Sequence, residues 1–294
     1  MHIPFSKMHG LGNSYIYINM FTFQLPEEML PKLARKMADV YTGIGADGMV
    51  LICPSQRAEV KMRIFNKDGS EGQNCGNALR CVAKYVYEQG MVRQKQFQIE
   101  IGDRLVKAVI HGETSVETVT IHMGRADLDN ASIPIVPLHL KPQTIGELLD
   151  FGTFSFVGTA VSMGNPHIVF IVDHVSEILL EQVGPVIETH PMFPQQVNAE
   201  FVQIISDNKI CMRVWERGSG ITKACGTGAC AAVVAATLLG YVKKNTDITV
   251  VLDGGELQIC YDEDEQVYMT GSAMKFVQDN FFIKMEKNKV CNWS

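Results

Sequence analysis

Apolar and polar residues alternate with a period of two in short runs: Tyr15 to Asn19, Val60 to Asn66, Val116 to Met123, Val202 to Ile205, Ile248 to Leu252 and Val267 to Thr270. Each run predicts a strand with one buried face. A helical period replaces the alternation over Pro26 to Tyr41, where Leu30, Leu33 and Met37 fall on one side, over Gly76 to Gln89, over Gly226 to Gly240, and more weakly over Ser176 to Glu188. In the second of these segments the apolar stripe is Leu79, Val82, Ala83, Val86 and Tyr87. In the third, AAVVAATLL is apolar on nearly every side, so that helix must be enclosed by other structure. Pro134, Pro137 and Pro142 interrupt an aperiodic stretch from Arg125 to Glu147, which marks a domain junction.

The order of these elements repeats. Met62-Arg63-Ile64-Phe65-Asn66 lines up with Met212-Arg213-Val214-Trp215-Glu216 at an offset of 150, and at the same offset Asn74-Cys75-Gly76-Asn77 falls on Ala224-Cys225-Gly226-Thr227. Gly12-Asn13-Ser14-Tyr15-Ile16 and Gly164-Asn165-Pro166-His167-Ile168 align at 152. Common order at a near-constant offset indicates a duplicated unit. It also gives content to the chain length, since 294 residues correspond to two domains of roughly 150.

In each half a strand ends, a Gly-containing loop follows, and a cysteine stands just before a glycine at a helix start: NCGNALRC around Cys75 and ACGTGACAA around Cys225. Free backbone N–H groups and the positive end of the helix dipole favour anions there, which predicts lowered thiol pKa values. A lone cysteine of this kind would be read as a small core residue. Two equivalent ones in a folded-back duplication instead flank one cleft. Matched acid/base groups on opposite faces suit inversion at a carbon stereocentre: a thiolate removes the proton and the opposite thiol returns one. Two helix starts aimed at an adjacent carboxylate would steady the carbanion without metal or cofactor.

Other motifs carry less. Gly43-Ile44-Gly45-Ala46-Asp47-Gly48 matches GxGxxG, yet it follows a predicted helix and precedes the apolar run Met49 to Cys53, the reverse of a dinucleotide fingerprint. A tight helix-to-strand turn that also shapes the cleft fits it better. There is no CxxC, so thioredoxin-like and zinc-ribbon readings lose their basis, and no metal site is expected. Cys81 and Cys230 fall inside helices as core residues; Cys53, Cys211, Cys260 and Cys291 read as structural or incidental. His167 reads equally as a hydrogen-bonded structural histidine. The sequons at Asn130 and Asn292 match only formally. A net charge of −6 and the absence of polybasic runs leave no footprint for nucleic acid or anionic membrane. The longest apolar stretch, Ala229 to Val242, is too short to span a bilayer, and MHIPFSKMHG is no signal peptide, so a cytoplasmic location is expected.

Taken together, KMHGLGN (Lys7 to Asn13), GIGADG, RIFNKDGSE with CGNALRC (Arg63 to Cys81), GNPH (Gly164 to His167) and RVWERGSGITKACGTGAC (Arg213 to Cys230) closely resemble the diaminopimelate epimerase family, in its order and spacing up to about Ile283. The resemblance implies an α+β fold of two pseudo-symmetric domains, each a curved, mostly antiparallel sheet wrapped around a central helix. The first would span residues 1–125 and regain the last strand, about 271–284; the second would span 126–270; and 285–294 would form a fraying tail. It further implies a cofactor-independent epimerase, expected to be a homodimer, that interconverts LL- and meso-2,6-diaminopimelate. By position, Cys75 and Cys225 resemble the two acid/base thiols. Gly76, Asn77, Gly226 and Thr227 resemble the donors to the reacting carboxylate, and Asn13, Asn66, Asn165 and Asn198 the substrate-binding asparagines. Glu216 and Arg217 match a Glu-Arg pair whose guanidinium suits a distal carboxylate, and His167 and Glu216 are candidates for tuning the thiols. Ser14-Tyr15 stands where Asp-Phe is common, Gly48 where some members place a Gln, and Ala78 where Gly is frequent. Proline racemases and phenazine-pathway isomerases look similar in architecture, but the latter generally lack the cysteine pair. A non-catalytic binding protein would not need both thiols.

Overall fold

The computed structural model describes residues 1–72, 76–136 and 141–283. Cys75, the middle of the junction and the tail with Cys291 therefore lie outside the described residues. The first half runs β1 (His2–Gly10), β2 (Asn13–Asn19), α1 (Leu30–Ala38), β3 (Gly48–Cys53), β4 (Val60–Asn66), β5 (Glu71–Gly72), α2 (Gly76–Glu88), β6 (Gln96–Ile101), β7 (Arg104–His111) and β8 (Thr118–Arg125). After β9 (Glu147–Asp150), the second half repeats the series: β10 (Ser155–Ser162), β11 (Pro166–Ile171), α3 (Leu180–Glu188), β12 (Asn198–Ser206), β13 (Lys209–Glu216), β14 (Gly220–Ile221), α4 (Gly226–Leu238), β15 (Asp247–Leu252), β16 (Gly255–Tyr261) and β17 (Gln266–Gly271). The last strand, β18 (Met274–Phe282), pairs antiparallel with β1.

Pairing repeats with the sequence. β2 and β3 are parallel, as are β11 and β12. Val60 of β4 lies opposite Ile99 and Ile210 of β13 opposite Val250, both in parallel pairs. Phe65 faces Glu71 and Trp215 faces Ile221, again 150 positions apart. The halves meet where β8 and β17 pair antiparallel, Thr120 opposite Thr270 with their hydroxyls 2.6 Å apart. This is the α+β, pseudo-symmetric architecture that the sequence implies.

Each curved half-sheet encloses one helix. Residues Ala229 to Ala236 of α4 are all at most 1% exposed, which is what an all-apolar helix requires. α2 is likewise buried from Gly76 to Ala83. A single apolar core surrounds these two helices, while α1 and α3 cover the outer faces of their own halves with smaller clusters.

Several boundaries differ from the periodicity. The helix expected over Pro26 to Tyr41 is a 3-10 turn, Glu27–Met29, followed by α1. It stops at Ala38 because Asp39 is extended and its carboxylate accepts from the Tyr41 and Thr42 N–H groups at 2.9 and 2.6 Å. The strand expected from Val116 begins at Thr118. In the junction, Ile133 and Ile135 are buried against α3's cluster, so aperiodic sequence there still contributes to a core.

Candidate active site

Cys225 is the N-cap residue of α4, with extended backbone angles (φ −108°, ψ 110°), and its sulfur accepts from the Gly228 N–H at 3.3 Å. A thiol thus occupies the place of a capping hydroxyl. The Thr227 hydroxyl lies 3.6 Å from the same sulfur and accepts from Asn165 Nδ2 at 3.3 Å. The first intrahelical bond runs from Ala229 N–H to the Cys225 carbonyl. The Gly226 and Thr227 N–H groups precede it, as donors that a helix start leaves over.

The two helix starts converge. A methyl group on Gly76 would stand 2.6 Å from Met269 Cε, and one on Gly226 would stand 3.0 Å from Met269 Sδ and 3.6 Å from Asn77 Oδ1. Asn77 Nδ2 donates to the Ala224 carbonyl at 3.2 Å, so the first turn of α2 grips the residue before Cys225. Asn77 is held in turn by Arg80, a fully buried guanidinium that donates to Asn77 Oδ1 at 2.9 Å and to the Ser272 carbonyl at 3.3 Å.

Around Cys225 the charge is mostly negative. Glu216, at the end of β13, accepts from the Thr222 hydroxyl, and burial pushes its carboxyl pKa up. Burial, then Glu216 and Glu200, hold the Cys225 thiol well above the ordinary thiol range. This corrects the lowered value expected from the helix start: the cap bond from Gly228 and the Thr227 hydroxyl act downward but are outweighed. His167, fully buried, shares a 2.7 Å hydrogen bond from Nδ1 with Glu200 Oε1.

The remaining residues divide by what their side chains hold. Asn13 Nδ2 donates to Asp47 Oδ2 at 2.9 Å, and its Oδ1 accepts from Asn77 at 3.4 Å, so it sits beside the start of α2. Asp47 also accepts from the Ser14 N–H at 2.7 Å, so the GIGADG turn holds the start of β2. Asn66 is exposed at the end of β4 and donates to the Ser70 hydroxyl at 3.0 Å. Asn198 uses both amide ends on backbone, donating to the Pro166 carbonyl at 2.7 Å and accepting from Arg217 N–H at 2.9 Å. The exposed Arg217 donates to the Gln195 carbonyl at 3.1 Å. Its turn is fixed by Glu188, which accepts from Gly218 N–H at 2.7 Å and from Trp215 Nε1 at 2.6 Å.

Sequence reasoning missed Glu200, Arg80, Asp47, Glu188 and Met269. A lone carboxylate between Ala199 and the apolar pair Phe201-Val202 was the available signal for Glu200. Among the described residues no helix is long and apolar enough to cross a membrane.

A family model described as diaminopimelate epimerase matches residues 5–128 and 159–276. A diaminopimelate epimerase from Bacillus pumilus is 53% identical over 280 residues, covering 95% of this chain and 98% of its own. Another, from Bacillus licheniformis, is 55% identical over 280 residues with the same coverage. Among solved structures, a predicted epimerase from Pseudomonas aeruginosa superposes with a TM-score of 0.69 at 12% identity, over 96% of this chain and 100% of that one, a likeness of fold.

Proposed function

Because the chain belongs to the diaminopimelate epimerase family, we propose that it interconverts LL-2,6-diaminopimelate and meso-2,6-diaminopimelate with its own side chains, Cys75 and Cys225 acting from opposite faces of the α-carbon. One cysteine, as thiolate, takes the α-proton and becomes a thiol. The electron pair left on carbon delocalises into the adjacent carboxylate, and the opposite thiol delivers its proton to the other face. The reverse reaction exchanges the roles.

The observation that carries this reading is the convergence of the two helix starts on Met269, with Cys225 capping one and Gly76, the residue after Cys75, opening the other. The Gly76, Asn77, Gly226 and Thr227 backbone N–H groups, at the first turns of the two helices, would donate to the reacting carboxylate. Fixed donors of this kind favour the charge that builds up during proton removal. Asn13, Asn66, Asn165 and Asn198 would order the substrate and Arg217 would take its distal carboxylate, with His167 and Glu216 tuning the thiols.

The same reading divides the chain near residue 125, with 271–284 returning to the first domain, and places it in the cytoplasm, where thiols stay reduced. A homodimer is supported by β18, which among the described residues pairs only with β1 and leaves Met274, Phe276 and Phe282 more than half exposed. The test of the reaction is incubation with LL-diaminopimelate in deuterated water. Inversion with deuterium incorporated at the α-carbon is expected; saturable binding without exchange would refute it.

A further inference from the structure

The two halves are not equal beneath their cysteine turns. In the second half, His167 on β11 and Glu200 on β12 lie on adjacent parallel strands, both fully buried, joined through Nδ1 and Oε1 at 2.7 Å. His167 Nε2 and Glu200 Oε2 have no hydrogen-bond partner among the described residues. In the first half the equivalent positions are Tyr15 and Val50.

A third position changes with them. A methyl group on Gly228 would stand 2.7 Å from Glu200 Oε1 and 3.1 Å from Cys225 Sγ. The carboxylate and the thiol therefore lie within about 6 Å of each other, on either side of a glycine that leaves room for both. The equivalent of Gly228 is Ala78, whose methyl is fully buried in the same apolar core as the shorter, uncharged Val50. Glycine, glutamate and histidine in one half against alanine, valine and tyrosine at the equivalent positions of the other place an acid and imidazole pair beside Cys225 that those first-half positions do not repeat.

We propose that Glu200 is a positioning residue for the epimerisation: it fixes the His167 ring by Nδ1 and sets a carboxylate under Cys225, making the two thiols of the pair electrostatically unequal. The inference rests on the two-thiol reading above. Among the described residues, the titratable groups that face Cys225 are Glu216 from β13, Glu200 from β12 and His167 through Glu200 from β11; Arg80 of α2 approaches Cys230 instead. Glu200 contributes to holding the Cys225 proton in place. Removing its charge should therefore release that proton at lower pH.

The test measures alkylation of Cys225 and of Cys75 by iodoacetamide as a function of pH, each followed on its own peptide by mass spectrometry, together with kcat and KM. In Glu200→Gln, the Cys225 profile is expected to move down by about one pH unit while that of Cys75 stays. Turnover is expected to fall about tenfold or more with KM within about twofold. The triple exchange His167→Tyr, Glu200→Val, Gly228→Ala installs side chains that the first half already packs, and the same downward movement of Cys225 is expected from it. An unchanged Cys225 profile in either folded variant overturns the proposal, whatever happens to activity. Alkylation needs no turnover, so this result stands apart from the deuterium experiment, whose failure would remove the two-thiol reading itself.

Discussion

Gly228→Ala tests the packing under Cys225 directly. In an ordinary helix interior this change stabilises by roughly 0.5–1 kcal/mol, because alanine loses less conformational freedom on folding. Here the new methyl would meet Glu200 Oε1 at 2.7 Å and Cys225 Sγ at 3.1 Å. Neither neighbour is a loose end: Glu200 is fully buried and tied to His167, and Cys225 is the cap of the helix. Overpacking of this kind costs about 1–3 kcal/mol, so the net expectation is a loss of about 1–2 kcal/mol, reversing the usual sign. The sulfur should move by a few tenths of an ångström, and kcat/KM should fall about tenfold or more, since small displacements of a reacting group are expensive. Thermal or urea denaturation and steady-state epimerisation measure both effects. In a Glu200→Val background the nearer obstruction is gone and only the Cys225 contact remains, so the same glycine change should cost clearly less, a coupling of about 1–2 kcal/mol between the two sites. If Gly228→Ala raises stability in the otherwise native protein and leaves activity intact, the proximity of Glu200, Gly228 and Cys225 has been misjudged.

Cys75→Ala and Cys225→Ala should each abolish epimerisation while leaving far-ultraviolet circular dichroism unchanged; full activity in either would end the two-base mechanism. Glu188→Ala removes the acceptor for Trp215 Nε1 and Gly218 N–H, loosening the turn that carries Arg217; KM should rise several-fold, and an unchanged KM would separate Arg217 from substrate. Asn77→Ala releases the Ala224 carbonyl across the two halves, with an expected loss of about 1 kcal/mol in stability and a larger proportional loss in kcat. Glu216 has a raised pKa in the folded protein, so the native state holds this proton more tightly than the unfolded chain does. Its contribution is fully present below the unfolded value, near 4.5, and is lost as pH rises through the folded one. Glu216→Gln should accordingly gain stability relative to the native protein as pH rises above about 4.5, and parallel stability curves would contradict that.

Much of this architecture is legible from the sequence because it is written twice. The offset of 150 between the cysteine turns reappears as equivalent strand registers, Phe65 with Glu71 and Trp215 with Ile221. The all-apolar run after Cys225 implies an enclosed helix, and α4 is enclosed. Less legible was β18, where exposure follows its pairing with β1 and not a clean alternation. The end of α1 depends on a side-chain cap at Asp39, which periodicity does not register.

The electrostatics of Cys225 were misread for a related reason. A helix start is a local feature, visible in a dozen residues, and it argues for a readily ionised thiol. The carboxylates that oppose it arrive from β12 and β13, with Glu200 and Glu216 lying 25 and 9 positions before the cysteine. Their effect depends on two strands being folded against the first turn of α4, with Glu200 admitted by a glycine at 228. Repetition identifies the cysteines, since both copies retain them. It conceals the surroundings, because those are built from the positions at which the copies differ: Tyr15 against His167, Val50 against Glu200, Ala78 against Gly228. A reaction run in both directions between two stereoisomers does not demand that its two bases be alike. The asymmetry under Cys225 places the difference between them in three side chains that exchange can test one half against the other.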